Sequence, residues 1–79
     1  MDKEYINVVV YCNEFMDIFN VDKNGAKYRY SKMKKEFNLS RTQYITIYHL
    51  RDSMTVTLQD VIDMMRRIRN KNKSIDKFN

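Results

Sequence analysis

The stretch Glu14–Phe37, EFMDIFNVDKNGAKYRYSKMKKEF, decides the fold. Phe15, Ile18 and Phe19 recur at the spacing of one helix face. Asn20-Val21-Asp22 then breaks the pattern. Asp22 is an N-cap residue, able to accept hydrogen bonds from the first free amides of a new helix. Ala26, Tyr30, Met33 and Phe37 follow, and at about 100° per residue they fall in one narrow stripe, the buried face of that helix. Two helices joined by a short turn that holds a buried valine form a helix-turn-helix, expected here over residues 12–37.

The same unit returns 35 residues later. Val10 falls on Ile45, Cys12 on Ile47, Phe15 on Leu50, Phe19 on Met54, Val21 on Val56, Ala26 on Val61 and Met33 on Ile68. Asp22 falls on Thr57, one capping residue on another, and Thr57-Leu-Gln-Asp60 has capping-box spacing. The match is incomplete, with Ile18 on Ser53 and Phe37 on Asn72. Two copies are too few for a solenoid, so the repeat reads as one supersecondary unit used twice. The second unit is expected over 46–69, with Ile47, Leu50 and Met54 on one helix face and Val61, Met64, Met65 and Ile68 on the next. Ile62 falls off that stripe and is expected at the surface, where it offers a homodimer contact. INVVVY and YITIY are β-branched and aromatic, and read as short strands near 6–11 and 44–48. Thr46 reads equally well as the cap of a third helix, and Ser40 with Gln43 as a further turn of helix.

The fold class expected is therefore mainly α, with about four helices as two tandem helix-turn-helix-like units and short strands. A chain of 79 residues is one domain with a modest core, expected over 1–70 with a flexible basic tail at 71–79. The absence of proline and the single glycine favour helices. The lone Cys12 excludes an internal disulfide and a cysteine-based zinc site, and suits a reducing compartment. The opening MDKEYINVVVYCNEF does not read as a signal peptide. No segment approaches the roughly 20 apolar residues of a membrane span. A cytoplasmic location without membrane partners is expected.

Charge is segregated along the chain. Residues 1–21 carry one basic and four acidic side chains, residues 22–42 seven and two, residues 43–65 one and three, and residues 66–79 six and one. Two basic blocks in an otherwise acidic chain suggest a surface that meets a polyanion.

Glu14–Phe37 resembles the helix-turn-helix of small bacterial and phage DNA-binding proteins of the excisionase-like or MerR-like type. The matching features are Phe19-Asn20-Val21-Asp22 and the small Ala26 four positions after the cap. Asn20 stands where glycine is usual, and Gly25 where serine or threonine is common. No Gly-rich hairpin follows Phe37, so a winged arrangement is not expected. The resemblance implies that the helix over 24–37 reads the major groove of double-stranded DNA. With the apolar stripe inward, Asn24, Tyr28, Ser31 and Lys35 face outward and Lys27, Lys32 and Lys34 flank them. Asn24, Lys27, Tyr28 and Ser31, in the N-terminal half, are the expected base contacts. Lys23, Arg29, Lys32, Lys34 and Lys35 are the expected phosphate contacts, joined by Arg66 and Arg67 on the last helix. The stretch Arg66–Lys77 reads as an extension of that helix toward phosphate or, with equal weight, as a frayed terminus. Gly25 would let the helix end come close to a backbone.

Other chemistry is weakly represented. His49 lacks the co-ligands of a metal site. Cys12 lies on the apolar pattern and reads as a buried core thiol. The acids Glu14, Asp17, Asp60 and Asp63 have the spacing of solvated helix faces. The methionines read as core filler. One glycine cannot build a phosphate-cradling loop. No catalytic residues, metal, cofactor or small-molecule substrate are expected. The function expected is a non-catalytic, sequence-specific DNA-binding protein, a transcriptional regulator or recombination-directionality factor of a phage or mobile element. The alternative is a small protein-interaction module or inhibitor of a host protein, in which the acidic first helix and Ile62 would matter more.

Overall fold

A computed structural model describes the backbone of residues 6–77 and the side chains of residues 6–71. In chain order the elements are strand β1 (Val9–Val10), a 3-10 turn (Cys12–Glu14), helix α1 (Phe15–Phe19), helix α2 (Lys23–Glu36), strand β2 (Ile45–Thr46), helix α3 (Ile47–Met54) and helix α4 (Leu58–Lys77). The fold is mainly α, with four α-helices and a two-stranded antiparallel sheet in which Val9 faces Thr46 and Val10 faces Ile45. α4 continues through position 70 to Lys77, so the basic tail is helical along most of its length.

The 35-residue repeat is present in atomic detail. Each first helix ends on a left-handed residue, Asn20 at φ 54° and Thr55 at φ 57°. Each turn is closed by the same bond, Val21 N–H to Met16 O at 3.1 Å and Val56 N–H to Arg51 O at 3.3 Å. Each second helix is capped at the same place. Asp22 Oδ1 accepts from Gly25 N–H at 2.8 Å, and Thr57 Oγ1 accepts from Asp60 N–H at 3.1 Å while Asp60 Oδ2 accepts from Thr57 N–H at 3.4 Å. Each first turn is entered alike, with Tyr11 N–H donating to Glu14 Oε1 and Thr46 N–H donating to His49 Nδ1, both at 3.0 Å. Thr46 is thus both a strand residue and a helix cap. Ser40 and Gln43 form their side-chain bond, Ser40 N–H to Gln43 Oε1 at 2.8 Å, in a turn and not in a helix.

One core joins the two halves. Val10, Phe15, Ala26 and Met33 from the first meet Ile45, Ile47, Leu50, Val61 and Met65 from the second, all buried. Full burial of such a Val, Leu, Ile, Phe or Met side chain contributes about 1.5–3 kcal/mol. Tyr30, Phe37, Phe19, Met54, Met64 and Ile68 pack half-buried around this core. Burial raises the Tyr30 phenol above the ordinary 10.0, and its hydroxyl donates to Val10 O at 3.3 Å.

Three expectations are corrected by this packing. Ile62 is half-buried against the core and not at the surface, because α4 meets both α3 and α1 and so buries a wider arc than one stripe. The homodimer contact argued from it loses its ground. Cys12 is half-buried where its counterpart Ile47 is buried, since the first unit opens with a 3-10 turn in place of an α-helical one. Val56 is 37% exposed, unlike Val21, which packs against the core.

Threonine is a poor residue for a left-handed position, where a β-branched side chain is strained by about 1–2 kcal/mol. Asn20 meets the same geometry at less cost. Thr55→Asn is therefore expected to stabilise the protein by about 1 kcal/mol, raising the midpoint of thermal unfolding followed by circular dichroism. An unchanged or lower midpoint would show that Thr55 is not strained.

Candidate nucleic-acid interface

α2 begins where Asp22 caps it and ends where Asn38, at φ 59°, turns the chain so that Leu39 N–H reaches Lys34 O at 2.8 Å. Between these stops the helix buries Ala26 and Met33 and half-buries Tyr30 and Lys34. Its packing partners are α1, the 3-10 turn and β2, which leaves the opposite side to solvent. Asn24, Lys27, Tyr28, Ser31, Lys32 and Lys35 are all exposed there, with Tyr28 at 67%. Lys23 and Arg29 are exposed beside them. The four residues expected to contact bases thus share one surface.

Six basic residues and the single acid Glu36 lie on this helix. Among the described residues, Lys23, Lys27, Lys32 and Lys35 make no ion pair, so their charge is directed at solvent. The other two cations have partners within the chain. The Arg29 guanidinium lies 4.9 Å from the centre of the Phe19 ring. Lys34 Nζ donates to Arg41 O at 3.3 Å and sits 5.7 Å from the Tyr30 ring centre. Lys34 therefore ties α2 to the chain leading into β2, a role that spacing alone did not suggest.

Arg66 and Arg67 are not part of this face. They lie on α4, which packs on α3 and α1, with Arg66 half-buried and Arg67 exposed. Beyond Lys71, the phosphate contact expected of the tail falls on side chains outside the described residues.

Arg69 is the residue that sequence reasoning missed. Its Nε donates to Glu14 Oε2 at 2.8 Å and its Nη2 to Glu14 Oε1 at 3.1 Å, a bidentate fork. Nη1 donates to Asn7 O and Nη2 to Val9 O, both at 2.9 Å. Arg69 thus neutralises an acid of the first unit and satisfies carbonyls of its strand. Read along the chain, it is one more charge in a basic block. Only the partners, more than fifty residues away, reveal it as a clamp.

Gly25 also changes its reading. A Cβ there would stand 2.9 Å from Val21 Cβ and 3.2 Å from Asp22 Oδ1. The close neighbour that demands glycine is the protein's own turn. Alanine would gain about 1 kcal/mol of helix propensity, but the overpacking costs about 1–3 kcal/mol. Gly25→Ala is expected to destabilise by about 1 kcal/mol net, seen as a lower urea midpoint. Equal or greater stability would mean that Val21 yields freely.

Among the described residues no group of three or more His, Cys, Asp or Glu side chains could hold a metal ion, and no helix is long and apolar enough to cross a membrane. His49 Nδ1 accepts from Thr46 N–H, which leaves the imidazole proton on Nε2, and its ring packs edge-on against Phe37 at 4.8 Å. Protein-family models, curated proteins and solved structures all fail to match the chain.

Proposed function

We propose that this chain is a non-catalytic, sequence-specific double-stranded DNA-binding protein that lays α2 in the major groove. The observation that supports this most strongly is the outward face of α2. Asn24, Lys27, Tyr28 and Ser31 lie exposed together on a helix-turn-helix frame, rimmed by ammonium groups with no acid beside them. Asn24 offers an amide suited to adenine, Lys27 an ammonium suited to guanine, and Ser31 a hydroxyl that serves either. Lys23, Lys32 and Lys35 hold phosphates in this reading, and Arg29 does so from its seat over Phe19. The role that fits is a transcriptional regulator or a recombination-directionality factor, as the helix-turn-helix resemblance of Glu14–Phe37 suggests.

The test is fluorescence anisotropy on a pool of duplex DNA over a range of salt concentrations. Each phosphate neutralised contributes about −0.9 to the slope of log affinity against log salt, so four or five contacts give a slope near −4. Absence of binding at low salt would end this reading and direct the search to protein partners. The second reading, a protein-interaction module, draws support from the exposed Val56 in an open cleft with Asp52, Thr57 and Asp60.

A further inference from the structure

The two units are arranged around an internal pseudo-two-fold axis. Val10 pairs with Ile45, its own counterpart in the repeat, and Val9 pairs with Thr46, the counterpart of Tyr11. An antiparallel pair whose central residues are each other's equivalents places a dyad between them. The straps that cross between the halves obey it as well. Arg69 of the second unit bonds the carbonyl of Asn7, ahead of β1, and Lys34 of the first bonds the carbonyl of Arg41, ahead of β2. The chain thus contains the two-fold relation that a homodimeric regulator obtains from two copies.

In a homodimer the two second helices are identical, and both half-sites are read alike. Fusion removes that constraint, and the two helices have diverged. The first two turns of α2 carry Lys23, Lys27 and Arg29 and no acid. The corresponding turns of α4 carry Asp60 and Asp63 and no base. The position of exposed Lys27 is taken by Ile62, which is half-buried, and that of Tyr28 by Asp63. An acidic helix front is repelled by phosphate, so α4 has the frame of a groove-reading helix without its charge.

We infer that one chain contacts DNA through α2 alone, as a single unsymmetrical half-site in one fixed orientation, with α4 held off the duplex. This rests on the DNA-binding reading above and specifies its target as a non-palindromic sequence occupied by one chain.

The experiment is selection of binding sites from a random duplex pool, followed by hydroxyl-radical footprinting and native mass spectrometry of the complex on the selected duplex. The expected result is one protected patch shorter than a helical turn of about 10 base pairs, a sequence without two-fold symmetry, and one chain per duplex. Asp63→Asn is expected to leave the affinity unchanged, while Lys27→Ala lowers it. A palindromic site with two chains, two patches one turn apart, or tighter binding by Asp63→Asn would overturn the inference and leave DNA binding standing. Failure of the wild-type protein to retain any duplex would overturn both.

Discussion

Arg69→Met is expected to lower stability by about 2–4 kcal/mol, the largest loss from a single side chain in this protein. Three groups depend on the guanidinium at once, and two of them are main-chain carbonyls in a strand of only two residues. The pair is well shielded, with 24% of the Arg69 side chain and 13% of the Glu14 side chain exposed. Removing the cation leaves the carboxylate with the Tyr11 amide as its remaining donor. A charge left behind in a shielded place costs more than the pair contributed. For a domain of this size each kcal/mol lowers the thermal midpoint by about 4–8 °C, so a drop of 10 °C or more is expected by circular dichroism. Arg69→Lys keeps the charge but not the fork, and should recover less than half of the loss. A midpoint within a degree or two of wild type for Arg69→Met would show that the clamp contributes nothing. The paired change Arg69→Met with Glu14→Gln should be less damaging than the sum of its parts, because the stranded charge is gone.

Lys27→Ala/Lys32→Ala/Lys35→Ala is expected to reduce affinity for duplex DNA by about 10²–10³-fold at moderate salt, and to flatten the salt slope by nearly three units. The three residues are exposed and make no ion pair among the described residues, so the fold should be unaffected. Unfolding curves that superimpose on wild type would confirm that the loss lies in binding. The contribution of each residue separates by sequence preference. Loss of Lys32 or Lys35 should weaken binding to every sequence alike, whereas loss of Tyr28 or Ser31 should narrow the gap between selected and random DNA. Lys34→Ala is predicted to behave differently from its neighbours. Its ammonium is tied to Arg41 and Tyr30, so the change should lower the unfolding midpoint as well as the affinity. Equal losses on all sequences from all these changes would leave α2 as a phosphate grip without readout.

Chain order alone carried a large part of this structure. Asp22, Thr57 and the left-handed Asn20 act on amides and carbonyls within a few residues of themselves, so their effects are written in short spacings. The buried stripe of α2 and the 35-residue repeat are likewise periodic, and periodicity survives without a structure. The exposed face of α2 follows, because the stripe that is buried defines the side that is not.

What only the tertiary structure decided involves partners far apart in the chain. The strands are two residues long, too short to announce themselves, and exist because Val10 and Ile45 meet across a dyad that no local spacing encodes. Arg69 and Lys34 look like phosphate ligands until their carbonyl partners appear. Ile62 is drawn inward because α4 lies against two helices, and Val56 is left outward where its counterpart Val21 is covered. Sequence periodicity fixes which direction a side chain leaves its helix. Whether water or another helix waits there is settled by packing among elements that the chain brings together from its two halves.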